Sequence, residues 1–194
     1  SEMCKETDIT ENDIVLVKEV KNNIDVRDLE KLARSISDTL SSEFFTKVNV
    51  GIGTPVVGVK DLARSFKEAQ TALEVGKVFD TDKNIVSYDN LGIARLIYHL
   101  PTTLCETFLK EVFKKNSIES LDHETLFTIQ KFFENSLNVS ETSRKLFVHR
   151  NTLVYRLDKI KKLTGLDLRE FDHAIIFKIA LMVKKYLAAN PTKF

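Results

Sequence analysis

The stretch HRNTLVYRLDKIKKLTG, residues 149–165, opens with polar side chains suited to reading DNA bases, namely His149, Arg150, Asn151, Thr152 and Tyr155. Arg150 can donate two parallel hydrogen bonds to O6 and N7 of a guanine, and Asn151 can both donate to and accept from an adenine. His149 and Tyr155 can serve bases or phosphates, and Thr152 can contact a thymine methyl group. The chemistry on offer is recognition of base edges.

These side chains need an exposed helix face, and the spacing of the same stretch predicts one. With residues about 100° apart on a helix, one narrow sector collects Leu153, Leu157, Ile160 and Thr164, so the helix packs along its length. The opposite face and its shoulders carry Asn151, Thr152, Tyr155, Asp158, Lys159 and Lys162. Gly165 after two lysines is typical of a helix C-terminus. We predict a helix from about Arg150 to Thr164.

A shorter helix is predicted just before it, in NVSETSRKLFV, residues 138–148. Asn138 and Glu141 fit a capping box, with Ser140 as the alternative cap. The small Thr142 and Ser143 would let another helix approach closely. A short helix, a tight turn and a longer helix form a helix-turn-helix, whose second helix enters the DNA major groove.

Other side chains suit phosphates, which set register without carrying sequence information; these are Ser140, Thr142, Lys159 and Lys162. A purely structural interpretation stays open for each residue. Asn151 could be the helix cap, Tyr155 could pack with its hydroxyl outward, and Arg156 could pair with an acidic neighbour.

The charge distribution agrees with a DNA-reading module. The chain of 194 residues has a net charge of +1, but residues 140–164 hold seven basic and two acidic residues, a local +5 that leaves −4 for the rest. The histidines lack metal-site spacing, and Cys4 and Cys105 read as unpaired thiols. No apolar run approaches a membrane span. We expect a cytoplasmic protein that binds double-stranded DNA, with no metal, no cofactor and no membrane contact.

The first half alternates strand and helix patterns, with strands predicted at 13–20, 47–53 and 84–88 and helices between them. This alternation implies a small sheet covered by helices. From Leu91 onward every segment reads as helical. The last helix, residues 171 to about 189, is predicted to bury a stripe of Ile175, Ile176, Ile179, Met182, Val183 and Tyr186.

Two motifs resemble one known family. VHRNTLVYRLDKIKKLTGLDL, with FFENSLNVSETSRKL before it, resembles the C-terminal helix-turn-helix of the PucR/CdaR family over about residues 121–188. VGIGTPVVGVKDLARSFKEAQTALEVGKVF resembles that family's degenerate GGDEF-like domain. The resemblance implies a bacterial transcription regulator whose effector is sensed by a separate domain on the N-terminal side. Because the chain starts within the GGDEF-like fold, we expect a C-terminal fragment.

An enzyme or nucleotide sensor is the competing interpretation. A diguanylate cyclase needs paired glycines and metal-binding acids, whereas TENDIVLV, residues 10–17, has no glycine and only Glu11 and Asp13 as acids. GIGTPVVG, residues 51–58, contains G-x-G after a strand, but Val56 occupies the third glycine position. We therefore expect no catalysis. The alternative is a catalytically inactive, nucleotide-sensing scaffold with a helical protein-interaction module.

The sequence thus predicts an α+β chain in three parts. Residues 1–92 form a partial GGDEF-like α/β domain, 93–120 a helical connector and 121–194 the helix-turn-helix domain. A single DNA-binding module buries only about 600 to 1,000 Å² on DNA, which is too little for strong specificity. We therefore expect a homodimer.

Overall fold

The computed structural model describes residues 6–9, 13–21, 24–79, 83–113 and 121–190. The chain divides into two compact units, residues 1–95 and 96–194. Within the described ranges, strands occur in the first unit and the second is helical, so the fold class is α+β as predicted. Cys4 and Glu11 lie outside the described residues, and Cys105 is a buried free thiol.

The strands of the first unit form two separate pairs. β1 (Glu6–Ile9) runs antiparallel to β2 (Ile14–Val17), and β3 (Val50–Ile52) runs parallel to β4 (Ile85–Ser87). Helices α1 (Val26–Phe44) and α2 (Leu62–Phe79) both pack against β3 and β4. The parallel pair and its connecting helix α2 are a βαβ unit. The described strands do not join into the single small sheet that the alternation suggested.

The G-x-G pattern at the end of β3, residues 51–53, serves close packing. A Cβ atom at Gly53 would stand 2.0 Å from the Ser65 carbonyl oxygen, so α2 approaches the strand end too closely for any side chain. The next residue is also held by α2: the Thr54 N–H donates to Glu68 Oε2 at 3.1 Å, and Ser65 Oγ donates to the Thr54 carbonyl at 2.8 Å. These backbone groups are engaged by the protein itself rather than turned toward a phosphate.

The second unit is built from helices around one apolar core. α3 (Ile93–Tyr98) crosses the boundary, and it is followed by α4 (Thr102–Val112), α5 (His123–Glu134), α6 (Val139–Lys145), α7 (Arg150–Thr164) and α8 (Phe171–Ala189). The most completely buried core side chains are Ile129, Phe132, Leu153, Leu157, Ile160, Leu168, Phe177 and Ala180. α4 packs on α8, where the rings of Phe113 and Phe177 meet edge to face at 5.6 Å. Length and apolar character sufficient to cross a membrane are found together in none of the described helices.

The buried face of α8 differs from the predicted stripe. Val183 and Tyr186 are buried as expected, but Ile175 is 40% exposed, and the remaining buried positions are Ala174, Phe177 and Ala180. The predicted stripe was therefore wrong: the face of α8 that is buried lies about one residue, or 100°, around the helix from it. Two small alanines flank Phe177 on the buried face, so the helix backbone can lie close to its neighbours while the ring fills the core.

A charged corner joins α7 to α8. Gly165 ends α7 with φ 79°, a left-handed conformation that suits glycine. The carboxylate of Asp167 then accepts hydrogen bonds from Arg169 Nε at 2.7 Å and Lys161 Nζ at 3.1 Å, and Arg169 also reaches Asp158 on α7 at 2.7 Å. The Arg169 guanidinium holds the pKa of Asp167 far below its ordinary value, although partial burial opposes that shift.

We predict that Asp167→Asn lowers the free energy of unfolding by about 1 to 3 kcal/mol at pH 7, because a buried charge-assisted network loses its anion. Since the pKa of Asp167 is lowered in the folded state, its contribution is fully present above the ordinary carboxyl value of 3.8 and is lost as the pH falls below it. Urea unfolding of both proteins between pH 7 and pH 2 should therefore show the difference shrinking below about pH 4. A difference that stays constant down to pH 2 would contradict this role.

Candidate nucleic-acid interface

The short helix α6 begins at Asn138, whose Oδ1 accepts a hydrogen bond from the Glu141 N–H at 3.0 Å. The alternative in which Ser140 caps the helix is therefore wrong. Thr142 and Ser143 are buried on α6, which packs directly on α7, as their small size predicted. Val148, just past the turn, packs on the core. This α6–turn–α7 arrangement is a helix-turn-helix.

The first turn of α7 is capped by a histidine. His149 Nδ1 accepts a hydrogen bond from the Asn151 N–H at 3.2 Å, so the alternative of Asn151 as the cap is wrong. Because Nδ1 is an acceptor, the ring proton of the neutral imidazole lies on Nε2, which can donate outward. α5, α6 and α8 each have an acidic residue in their first turn, whereas α7 has none. The positive end of the α7 dipole is therefore left uncompensated.

The buried and exposed faces of α7 are divided as the spacing predicted. Leu153 and Leu157 are fully buried and Ile160 is 1% exposed. All five residues predicted to contact bases are exposed near the N-terminal end of the helix: His149, Arg150, Asn151, Thr152 and Tyr155. Tyr155 is 70% exposed, so the interpretation in which it packs against the protein does not hold.

Much of the basic patch is engaged in ion pairs within the protein. Arg156 pairs with Glu124 and donates to the hydroxyl of Thr128 at 3.2 Å, which confirms its structural alternative. Three other cations are also paired, Arg144 with Glu141, Lys159 with Asp122 and Lys161 with Asp167. In the described part of the chain, no ion pair involves Lys145, Arg150 or Lys162, and all three are exposed.

One predicted phosphate contact must be corrected. Thr142 is 0% exposed, and its hydroxyl is buried without a hydrogen-bond partner, so it cannot reach a phosphate. It lies on the face of α6 that is turned into the protein, where its small size matters more than its hydroxyl. Ser140 and Lys162 are exposed and stay available. Lys159 is exposed too, but it pairs with the exposed carboxylate of Asp122, which a phosphate would have to replace.

The sequence interpretation missed two residues at this surface. Lys145, at the end of α6, is exposed and was not among the expected contacts. Phe147 lies in the turn before α7 and is 96% exposed. Its signal in the sequence was a bulky aromatic residue at a helix end, where glycine is the common choice.

Comparison with known proteins matches two separate parts of the chain, in the order that the sequence motifs predicted. Residues 7–75 match the GGDEF-like domain, and residues 125–183 match the PucR C-terminal helix-turn-helix domain. The chain is 28% identical to the carbohydrate diacid regulator of Escherichia coli (strain K12) over 88% of its own length and 45% of that protein. It is 26% identical to the purine catabolism regulatory protein of Bacillus subtilis (strain 168), over 77% of its length and 28% of the relative.

A third relative is the DNA-binding transcriptional activator AdeR of Bacillus subtilis (strain 168), at 26% identity over 91% of this chain and 42% of that protein. The chain thus spans less than half the length of each of these relatives. With a match to the GGDEF-like domain followed by a match to the PucR C-terminal helix-turn-helix domain, and with these regulators as relatives, this chain is similar to the PucR/CdaR family over most of its length.

Proposed function

We propose that this chain is a sequence-specific DNA-binding transcription regulator in which α7 is the recognition helix and lies in the major groove. The observation that carries the proposal is the exposure of His149, Arg150, Asn151, Thr152 and Tyr155 together at the N-terminal end of a helix whose other face is fully buried. In a helix-turn-helix, residues at that end of the second helix reach the base edges.

Each exposed side chain has a distinct role in this proposal. Arg150 pairs with a guanine and Asn151 with an adenine, each adding about 1 to 3 kcal/mol of discrimination. Thr152 contacts a thymine methyl group, while His149 Nε2 and Tyr155 donate to bases or phosphates. Ser140, Lys159 and Lys162 bind phosphates. Thr142 has no place in the interface because it is buried.

We propose further that two copies of the chain read a dyad-related operator. One module buries too little surface for strong specificity, and two recognition helices would read half-sites about 34 Å apart, or a multiple of that distance. The relatives named as regulators are more than twice as long as the aligned part of this chain. We therefore place effector sensing in a separate domain on the N-terminal side, and we propose a cytoplasmic, non-catalytic protein.

Selection from a pool of random duplexes tests the proposal. The native chain should enrich a dyad-symmetric sequence, and the enriched duplex should shift in a gel at concentrations where a scrambled duplex does not. Enrichment of nothing above the starting pool, in buffer of low ionic strength, would overturn it. Calorimetry with guanine nucleotides, run in parallel, tests the competing nucleotide-sensor function.

Arg150→Ala should abolish preference at one base pair of each half-site, because no other side chain replaces a bidentate contact to guanine. The loss is about 1 to 3 kcal/mol in discrimination with the fold intact. Repeating the selection with the variant measures it. Lys185→Ala is the matched control, since it removes an exposed cation from α8 and should leave every preference unchanged. An unaltered base preference in the Arg150 variant would show that Arg150 does not contact a guanine.

Lys162→Ala and Lys159→Ala should weaken binding to all duplexes alike, because Lys162 has no ion pair in the described residues and the pair of Lys159 with the exposed Asp122 is weak enough for a phosphate to replace it. Each should reduce the slope of log K against log salt concentration by about 0.9, the effect of one lost phosphate contact. Lys161→Ala is the neighbouring control: its ammonium group is bonded to the buried Asp167, so its removal should leave the slope unchanged. Equal slopes for the native chain and the Lys162 variant would contradict the phosphate assignment.

His149→Asp should separate folding from binding. Aspartate is a good helix cap, so the free energy of unfolding should stay equal or rise by up to about 1 kcal/mol. A negative charge at the DNA-facing end should nevertheless weaken binding at least about tenfold, since like charges meet there. His149→Asn, a neutral cap, should keep more of the affinity. Tight DNA binding by the aspartate variant would place the start of α7 away from the duplex.

A further inference from the structure

The turn between α6 and α7 holds a phenylalanine in a left-handed backbone conformation. Phe147 has φ 54°, its N–H donates to the Arg144 carbonyl at 3.1 Å, and the Val148 N–H donates to the Ser143 carbonyl at 3.0 Å. These two bonds form the Schellman arrangement that ends many helices. Glycine commonly occupies this position because a side chain is strained there.

In the free protein, the side chain of Phe147 makes no packing contact with the described residues that could offset this backbone strain. Leu137 also has a positive φ, 62°, but its side chain packs against the core, which offsets the strain. Phe147 is 96% exposed, so its ring is left in water. Phe45, at the end of α1, is similarly exposed with φ 54°, but no base-reading helix follows it. A strained residue with an exposed apolar side chain is better explained by a contact in a complex.

The residues next to Phe147 in the sequence indicate which partner its ring would contact. Its Cα atom lies within about 11 Å of the Arg150 Cα, because only three peptide units separate them. Lys145 and Arg150, on either side of it in sequence, are exposed cations with no ion pair in the described part of the protein. An apolar ring flanked in sequence by Arg150, which we assign to a guanine, and by the available cation Lys145 suits the DNA major groove, whose apolar group is the C5-methyl of thymine.

We propose that the ring of Phe147 packs against the C5-methyl group of a thymine at the edge of each half-site, and that Phe147 is therefore a specificity-determining residue. This inference rests on the proposed function, since it requires α7 to lie in the major groove. The methyl group distinguishes thymine from the other bases there. The contact is apolar, so it selects sequence without changing the salt dependence of binding.

Deoxyuridine substitution tests the inference, because deoxyuridine lacks only that methyl group. Duplexes selected by the native chain are resynthesised with each thymine in turn replaced by deoxyuridine. At one position in each half-site, distinct from the thymine that Thr152 contacts, the replacement should weaken binding by the native chain about 3- to 5-fold, the effect of one buried methyl group. Phe147→Gly should weaken binding to the thymine duplex by at least the same factor and should be indifferent to deoxyuridine at that position.

Three further measurements separate the contact from folding. The melting temperature of Phe147→Gly should equal or exceed that of the native chain, because glycine relieves the left-handed strain. Phe147→Asn, which also tolerates this conformation, should bind as Phe147→Gly does. The slope of affinity against salt concentration should be the same for all three proteins.

The possible outcomes distinguish this inference from the proposed function on which it rests. If the native chain selects a duplex but Phe147→Gly binds it equally well, the inference is overturned and the proposed function stands. If every deoxyuridine effect seen with the native chain persists unchanged in Phe147→Gly, or if the variant loses affinity equally for every sequence, the thymine assignment is overturned. If the native chain selects no duplex, both the proposed function and this inference are wrong.

Discussion

Burial of Leu153, Leu157 and Ile160 is the constraint on which the surface of α7 depends. These side chains are at most 1% exposed, and each contributes about 1.5 to 3 kcal/mol relative to exposure. Turning the helix by one residue, about 100°, would expose apolar groups and bring charged ones toward the core. The rotation of α7 is therefore fixed, and with it the outward direction of Arg150, Asn151 and Tyr155.

Charged side chains around α7 divide into those that hold the helix and those left for a partner. Glu124, in the first turn of α5, pairs with Arg156, and the Asp167 corner binds Lys161. These contacts keep α7 in register with its neighbours before any ligand arrives, so that little ordering is needed on binding. Arg150 and Lys162 keep their charge available, and the positive end of the α7 dipole, which no acidic residue of the first turn compensates, has the same sign.

The sequence predicted what is decided locally. Apolar spacing and the glycine stop defined α7 from Arg150 to Thr164, and the Asn138 cap followed from its residue type. Contacts between distant residues were not predictable: Lys159 pairs with Asp122 37 residues away, and the burial of Thr142 depends on how α6 meets α7. The buried face of α8 was also predicted wrongly, because alanines that permit close packing carry no strong apolar signal in the sequence. The sequence signal of Phe147, an aromatic residue where a helix ends, gained meaning only from its φ angle and its exposure in the structure.

Chemical probing of the bound duplex with dimethyl sulfate tests the central claim most directly, since this reagent methylates guanine N7 in the major groove and adenine N3 in the minor groove. If the exposed polar side chains at the start of α7 lie in the major groove, guanine N7 should be protected in two clusters. The centres of these clusters should lie about 10 base pairs apart, or a multiple of that. Protection confined to adenine N3, or a bound duplex with every guanine N7 still reactive, would contradict the placement of α7 against the bases.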